Sequence, residues 1–310
     1  MLKKAIAVSG AGKWGQALHF AISQKQECYI SSRTKRDIKN FVDLQTAIDC
    51  EYLVIAIPAQ EIRSWLKENF VFKGQKILVA SKGIEASSGE FLNEIYASFV
   101  PNENIGFISG PSFAAEVIKG LPTALVINSK SKDVYDSFST FFPNFIKVYF
   151  SDDVIGAEIA GAYKNVLAIA SGICEGLNLG KNAQASLISR GLVEMERFGK
   201  YFGAHESSFL GLSGAGDLFL TASSTMSRNF RVGLGLAANK SLEEILKELG
   251  EVAEGVKTAD AIHKLSIQHQ TLLPLLASPI FFLDSSENFL PVKPFGLGLP
   301  YIAFFSPLCE

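Results

Sequence analysis

The chain has 310 residues, a hydrophobic fraction of 48%, a charged fraction of 19% and a formal net charge of -2. This length exceeds the roughly 100 to 200 residues of a usual domain, so two domains with sizeable cores are expected. The composition excludes a disordered chain, and the charge provides no basic field for nucleic acid or an anionic membrane. Any anion must therefore be bound by local groups.

The N-terminal sequence and the cysteines indicate the compartment. MLKKAIAVSG runs directly into strand-like sequence, without the apolar core or cleavage site of a signal peptide, so a cytoplasmic location is expected. The four cysteines lie far apart without metal-ligand spacing, so neither a metal site nor a disulfide framework is predicted. They are Cys28, Cys50, Cys174 and Cys309.

Short apolar runs alternate with helical stretches in the first half of the chain. They lack clean polar alternation, which is typical of strands buried on both faces of a parallel sheet. The runs read KKAIAVSG, ECYISS, EYLVIAIP, QKILVAS, NIGFISG, TALVINS and IKVYFS. From about Ser151 onward, apolar residues recur three and four positions apart, which predicts helices. The sequence thus predicts an α/β protein: an N-terminal Rossmann-type, doubly wound, mostly parallel sheet over 1–151, then a mainly α-helical domain over 152–310.

The first predicted strand leads into GAGKWG, a GxGxxG pattern that a helical stretch follows. Gly10 permits the tight turn, Gly12 lets the backbone approach a pyrophosphate, and Gly15 lets the helix pack on the strand. The helix N-terminus favours phosphate. This order of strand, loop and helix predicts dinucleotide binding, and an ordinary glycine-rich turn is the alternative.

The residues after the second strand bear on the choice of cofactor. An NAD-selective site would place a carboxylate there for the ribose 2'-hydroxyl, but the chain has SSRTKR at 31–36. Arg33 can pair with a 2'-phosphate or stack on the adenine, although a solvated surface arginine is the alternative. We expect NADP or NAD as the cofactor, with NADPH used at least as well as NADH.

Eight separated motifs resemble the bacterial-type NAD(P)-dependent glycerol-3-phosphate dehydrogenases, in that family's order. They read GAGKWG at 10–15, VIAIPAQ at 54–60, SKGIE at 81–85, SGPSFAAEVIKGLPTA at 109–124, GAEIAGAYKNVLAIASGICEGLNLGKNAQASLISRGLVEM at 156–195, GLSGAGDLFLT at 211–221, SRNFRVG at 227–233 and VAEGVKTA at 252–259. The resemblance covers residues 1 to about 268. It implies the interconversion of dihydroxyacetone phosphate and sn-glycerol 3-phosphate, a precursor of glycerophospholipids.

The resemblance also assigns roles to single residues, and the chemistry of several supports them. Arg228 offers a planar fork of donors for phosphate, although a surface arginine is the alternative. Gly110 and Ser112 lie between a strand and a helix, where backbone donors can meet an oxyanion. Lys82 follows the fourth strand, at the edge where ligands gather. The implied substrate contacts are Lys82, Gly110, Ser112, Lys164, Asp217, Ser227, Arg228 and Asn229. The implied cofactor contacts are Gly10, Gly12, Lys13, Trp14, Gly15, Arg33, Lys82, Ala114, Arg228, Val252 and Glu254.

Lys164 stands inside a long apolar helical pattern, AGAYKNVLAIA at 160–170. Ala157, Ala160, Gly161 and Ala168 share its helical face and are small, which would leave room for a substrate beside the lysine. A positioned ammonium can stabilise the alkoxide that forms when a ketone accepts hydride, and can then protonate it. We predict that Lys164 is the general acid of carbonyl reduction and the general base in reverse. A surface lysine is the alternative.

Asp217 is the one acid in GLSGAGDLFLT, and the resemblance makes it a contact of the substrate or of the lysine. A helix N-cap is the alternative. Two other functions stay open: another Rossmann hydroxy-acid dehydrogenase, which the motif SRN disfavours, and a non-catalytic nucleotide-sensing protein, which the presence of Lys164 with Asp217 disfavours. A homodimer also stays open, and no nucleic-acid partner is expected.

Residues 271–310 depart from the family, whose members usually end in a regular amphipathic helix. The prolines there are too closely spaced for a long helix. No run reaches about 18 apolar residues without charge or proline, so no membrane segment is expected. An altered reading frame from near Thr271 would explain the departure, and exposed apolar surface would then lower stability. The segment holds Pro274, Pro279, Pro291, Pro294, Pro300 and Pro307.

Overall fold

The computed structural model describes residues 3–250, 254–269 and 273. The chain divides into two compact units, Met1–Glu85 with Glu90–Glu158, and Ala86–Gly89 with Ile159–Glu310. Val252 and the predicted atypical tail over 271–310 lie outside the described residues, apart from Leu273, which is buried.

Seven strands form one sheet in the first unit. They are β1 Lys3–Ser9, β2 Cys28–Ser31, β3 Cys50–Ile55, β4 Lys76–Val79, β5 Ile105–Ser109, β6 Thr123–Asn128 and β7 Ile146–Ser151. Their order in the sheet is β2-β1-β3-β4-β5-β6-β7. Every neighbouring pair is parallel except β5 with β6, which is antiparallel. Each strand overlaps one of the predicted runs, so the predicted mostly parallel sheet is confirmed.

Helices cover both faces of this sheet. They are α1 Lys13–Ser23, α2 Leu44–Ile48, α3 Ile62–Asn69, α4 Leu92–Ala97, α5 Ala114–Val117 and α6 Lys132–Ser139. Alternate residues of β1 enter different cores: Ile6 and Val8 pack in the cluster that contains Leu18 of α1, whereas Ala7 packs in the cluster that contains Ile62 of α3. Because both faces are apolar, the strands lack polar alternation.

The described part of the second half of the chain, up to residue 269, is mainly helical, as predicted. Its helices are α7 Val154–Gly176, α8 Lys181–Tyr201, α9 Glu206–Leu210, α10 Asp217–Ala222, α11 Arg228–Ala237, α12 Leu242–Leu249 and α13 Glu254–Gln268. The two units divide within α7. In the second unit, α7 crosses α11 where Gly172 meets Gly233. A Cβ on Gly172 would lie 2.1 Å from the Phe230 carbonyl oxygen, so this close crossing requires glycine.

Candidate active site

The loop after β1 has the form of a phosphate cradle. Gly10 has a φ of 110°, and its amide donates to the Ser31 carbonyl oxygen at 2.8 Å. A Cβ on Gly15 would lie 1.8 Å from the Gly10 carbonyl oxygen, so glycine is needed for α1 to approach the loop. Nothing lies within 4 Å of a Cβ built on Gly12, which is the N-cap of α1. The loop therefore leaves space for a phosphate at the N-terminus of this helix.

Two buried polar atoms beside this loop have no hydrogen-bond partner among the described residues. They are the indole Nε1 of Trp14 and the hydroxyl Oγ of Ser31, the last residue of β2. Buried polar atoms are nearly always hydrogen-bonded, so a bound polar group would complete both. The residues of this loop fit a nicotinamide dinucleotide.

Arg33 follows β2 and is 89% exposed at its side chain. Its Nη1 lies 3.9 Å from an oxygen of Glu61, which belongs to a short 3₁₀ turn after β3. The sequence has no carboxylate directly after β2. In the sheet, however, β2 and β3 lie on the two sides of β1, so the loops that follow β2 and β3 are near each other. A carboxylate that the local sequence does not reveal therefore faces Arg33. Lys13, at the start of α1, is exposed.

The segment after β4, which carries the half-buried Lys82, is held by α3. Arg63 of α3 donates from Nε to both carboxylate oxygens of Glu85, at 3.0 and 2.9 Å, and from Nη2 to Glu90. The Glu85 amide donates to the Glu90 carbonyl oxygen at 3.0 Å. Gln60 adds a hydrogen bond from Nε2 to the Ile84 carbonyl oxygen at 2.7 Å. These bonds fix the backbone shortly after Lys82, and sequence reasoning did not find Arg63.

The predicted oxyanion segment joins β5 to α5. Gly110 has a φ of 110°, and a Cβ there would lie 2.9 Å from the Ala124 carbonyl oxygen. Ser112 donates from Oγ to the Gly110 carbonyl oxygen at 3.2 Å. Ala114 is the first residue of α5. The turn thus has the expected order of strand, glycine and helix start.

In the second unit, the structure brings Lys164 and Asp217 into direct contact. Lys164 Nζ donates to Asp217 Oδ1 at 2.6 Å and to Thr221 Oγ1 at 3.2 Å. Thr221 also donates to the Asp217 carbonyl oxygen at 2.6 Å. The side chains of Lys164 and Asp217 are only 9% and 3% exposed. This buried cluster, which we call the lysine cluster, can hold an ammonium close to a carboxylate and a hydroxyl.

The structure differs from two expectations about the lysine cluster. Gly216, not Asp217, is the N-cap of α10, so the capping alternative for Asp217 is wrong. Ala160 and Ala168 are fully buried, so the expectation that small residues leave open room along this face of α7 is wrong at these positions. Small residues here allow close packing, as they do further along α7 at Gly172. Sequence reasoning also missed Thr221, whose hydroxyl contacts the lysine.

Tyr163, next to Lys164, makes a contact with α8 that sequence reasoning did not find. Its hydroxyl donates to Glu194 Oε2 at 3.1 Å, and both residues are buried. Burial, followed by the nearby Glu194 carboxylate, raises the pKa of Tyr163 well above its usual value. The phenol therefore stays protonated and ties α7 to α8 beside the lysine cluster.

The predicted phosphate-binding motif forms the start of α11. Ser227 is the N-cap, and its Oγ accepts from the Phe230 amide at 3.2 Å. Arg228 is exposed at the first helical position. Asn229 Oδ1 accepts from the Gly255 amide at 3.1 Å. This bond ties α11 to the first turn of α13, which begins at Glu254.

Other kinds of site were also sought in the described part of the chain. No group of three or more His, Cys, Asp or Glu side chains there could hold a metal ion. None of the helices within 3–250 and 254–269 has both the length and the apolarity to cross a membrane.

Comparisons with known proteins identify the family. Residues 28–135 match the family model for the NAD-dependent glycerol-3-phosphate dehydrogenase N-terminus, and residues 153–282 match the model for its C-terminus. A glycerol-3-phosphate dehydrogenase (NAD(P)+) from Sulfurimonas denitrificans is 62% identical over 290 residues, which cover 94% of this chain and 98% of that protein. The chain belongs to this family.

Further glycerol-3-phosphate dehydrogenases agree with this membership. The protein from Campylobacter jejuni subsp. jejuni is 62% identical over 271 residues, which cover 87% of this chain and 91% of that protein. A crystal structure of glycerol-3-phosphate dehydrogenase from Coxiella burnetii has a TM-score of 0.81 at 31% identity and covers 90% of this chain and 93% of that one. The expected fold, oxidoreductase class and NAD(P) dependence are thereby confirmed.

Proposed function

We propose that this glycerol-3-phosphate dehydrogenase reduces dihydroxyacetone phosphate to sn-glycerol 3-phosphate with NADPH or NADH, and catalyses the reverse reaction. The observation that carries the proposal is the lysine cluster, in which a buried ammonium lies 2.6 Å from a carboxylate. A buried charge of this kind is costly unless it is paired, and such groups are concentrated at functional sites.

Lys164 supplies the proton in this proposal. When bound, the reduced nicotinamide would supply hydride to the carbonyl carbon of the substrate. Lys164 Nζ stabilises the developing alkoxide and transfers a proton to it, and the neutral amine then regains a proton from solvent. Asp217 and Thr221 orient Nζ through their bonds of 2.6 and 3.2 Å. In the reverse direction the neutral amine of Lys164 takes the proton from the alcohol.

Binding of the two ligands follows from the remaining site residues. The cradle of Gly10, Gly12 and Gly15 holds the pyrophosphate, and Arg33 meets a 2'-phosphate. Arg228 anchors the substrate phosphate through its donor fork. Residues 1–151 thus serve as the dinucleotide-binding domain and 152–310 as the substrate and catalytic domain. The other residues proposed to contact a ligand are Lys13, Trp14, Lys82, Gly110, Ser112, Ala114, Ser227, Asn229, Val252 and Glu254.

The cellular setting is part of the same proposal. The product is the backbone of glycerophospholipids, so the enzyme would supply lipid synthesis from the cytoplasm. A homodimer is the proposed assembly, which size-exclusion chromatography with light scattering would test.

The decisive experiment follows the absorbance of NADPH when dihydroxyacetone phosphate is added to the purified protein. We expect oxidation of NADPH that depends on protein and substrate, and formation of sn-glycerol 3-phosphate. Dihydroxyacetone, which lacks the phosphate anchor, is the matched control and should be a very poor substrate. Binding of NADPH without turnover of dihydroxyacetone phosphate would instead indicate a nucleotide sensor. Faster turnover of a 2-hydroxy acid would indicate a different dehydrogenase.

A further inference from the structure

The short helix α10 is attached to α7 at both ends. Its first residue, Asp217, accepts a hydrogen bond from Lys164 Nζ at 2.6 Å. The carbonyl oxygen of its last residue, Ala222, accepts from the hydroxyl of Ser171 at 2.6 Å. Ser171 lies about two helical turns beyond Lys164, so both contacts come from one side of α7. The first of these hydrogen bonds comes from the lysine, and the second comes from Ser171.

The hydrogen bonds around Ser171 determine where its hydroxyl proton points. Gln184 of α8 donates from Nε2 to Ser171 Oγ at 2.9 Å, and Lys181 Nζ donates to Gln184 Oε1 at 3.2 Å. The ammonium of Lys181 thus orients the glutamine amide with its NH₂ group towards the serine. A hydroxyl has a single proton, and that proton is directed to the Ala222 carbonyl. Ser171 and Ala222 are both fully buried.

The contact with Ser171 adds a directional hydrogen bond to the packing that holds α10, in which Leu218 and Ala222 are fully buried. A helix of six residues is too short to be stable by itself, and the last carbonyls of a helix have no intrahelical donor. The segment before it, Leu212–Gly216, is a π-helical turn with the glycine-rich sequence LSGAG. A Cβ on Gly214 would lie 2.2 Å from the Phe209 carbonyl oxygen, so this turn needs glycine to pack against α9. The hydrogen bond from Ser171 satisfies one of the last carbonyls of α10 and so fixes the position of the C-terminal end of this helix.

We propose that Ser171 is a positioning residue that sets α10 against α7 and thereby places Asp217 and Thr221 on Lys164. The bond from Ser171 to the Ala222 carbonyl oxygen, at 2.6 Å, does not require the donor from Gln184. This inference rests on the proposed function of Lys164. Loss of the Ser171 hydroxyl lets α10 shift, and the Lys164 ammonium then samples poorer geometries. Small misplacements of a catalytic group can lower a rate on the order of 10²-fold.

The test compares Ser171→Ala with Gln184→Met, because each removes one buried hydrogen-bonding side chain at the same place. Ser171→Ala breaks the bond to α10, whereas Gln184→Met keeps it and removes only the donor from α8. Four quantities are measured for both variants and the unmodified chain: kcat, KM for dihydroxyacetone phosphate, the dissociation constant of NADPH by fluorescence, and Tm. Both variants should have a lower Tm.

We expect Ser171→Ala to lower kcat by on the order of tenfold, with unchanged NADPH binding and less than a threefold change in KM. Gln184→Met should keep kcat within about twofold of the unmodified chain, since its effect falls on stability. Ser171→Thr retains the hydroxyl and should recover most of kcat. If Ser171→Ala does not fold, Ser171→Cys serves instead, because the slightly larger thiol still fills the site but donates weakly, and kcat should still fall several-fold.

The outcomes separate this inference from the proposed function. If the unmodified chain does not oxidise NADPH with dihydroxyacetone phosphate, or if Lys164→Met keeps its turnover, both proposals fail. If Lys164→Met loses turnover but Ser171→Ala keeps kcat within twofold, only the inference about Ser171 fails. It also fails if Gln184→Met loses as much kcat as Ser171→Ala, because a general loosening of the core would then explain both variants.

Discussion

The substitution Lys164→Met tests the chemistry and the energetics of the lysine cluster together. Methionine keeps the apolar stem but removes the ammonium, which lies 2.6 Å from Asp217 Oδ1. Because the Asp217 side chain is only 3% exposed, its carboxylate loses this ionic partner without gaining full hydration. Breaking a buried ion pair by removing one partner costs about 3 to 5 kcal/mol. The Thr221 hydroxyl donates to the Asp217 carbonyl oxygen at 2.6 Å, and turning it to Oδ1, 3.3 Å away, would give up that bond, so it offsets little of this cost.

The same substitution should lower kcat by on the order of 10² to 10⁴, the usual contribution of a general acid. The variant should keep its fold but lose stability, because the buried pair is broken. NADPH binding should be retained by the folded variant, because Gly10, Gly12 and Gly15 belong to the other compact unit. The double variant Lys164→Met with Asp217→Asn removes both charges. It should recover most of the lost stability and none of the lost turnover.

Urea unfolding gives the stability of each variant, and single-turnover oxidation of NADPH gives the chemical step. Rates are compared at a temperature at which all variants are folded. A Lys164→Met variant that keeps more than about a tenth of normal turnover would remove the lysine from the acid role. If the single variant is destabilised by less than about 1 kcal/mol, or the double variant by as much as the single one, the reasoning from the buried pair fails.

Three further substitutions test other parts of the molecule. Arg33→Asp should shift cofactor preference towards NADH by about 1 to 3 kcal/mol in kcat/KM ratios, whereas strong preference of the unmodified chain for NADH would contradict the role of Arg33. Arg228→Ala should raise KM for dihydroxyacetone phosphate and cost about 2 kcal/mol in kcat/KM, and equal use of dihydroxyacetone by the unmodified chain would rule out this anchor. Burial raises the pKa of Glu158 well above its usual value, so stability should fall as pH rises from about 4.3 through the raised folded pKa. Glu158→Gln should flatten that fall in urea unfolding between pH 5 and about 8, and an unchanged slope would show that Glu158 does not cause it.

Strand positions could be predicted from the sequence because strands buried on both faces appear as continuous apolar runs. The direction of β6 could not be predicted in this way. Its run, TALVINS, is apolar like the runs of the parallel strands, and an apolar run carries no information about the direction in which it pairs. Direction depends on the connection, and the short α5 between β5 and β6 is only four residues long. The connection over 110–122 is long enough for a parallel crossover, which needs about a dozen residues, but it lacks the full helix that such a crossover usually contains.

Identities of site residues could also be predicted, but their contacts could not. Lys164 and Asp217 are 53 residues apart, and nothing in the spacing of either motif shows that their side chains meet. The family resemblance indicates both residues. The hydrogen bond from Ser171 to the Ala222 carbonyl oxygen could not be predicted, because it depends on how α7 packs on α10. Small residues on α7 were misread for a similar reason. A face of alanine and glycine is equally compatible with an open cleft and with a close helix crossing, and packing decides between them.

The motif SRN shows how structural and ligand-binding roles can share the same side chains. Ser227 accepts a hydrogen bond from the Phe230 amide, and Asn229 accepts one from the Gly255 amide. Both bonds use acceptor oxygens, and neither uses the serine O–H or the asparagine NH₂ as a donor. A phosphate dianion has only acceptors to offer at neutral pH, so it needs donors like these and the guanidinium fork of Arg228. The bonds that build the starts of α11 and α13 are therefore compatible with the anion site proposed there. Arg228 lies between these two residues and is exposed, so its guanidinium is accessible to a phosphate at the same helix start.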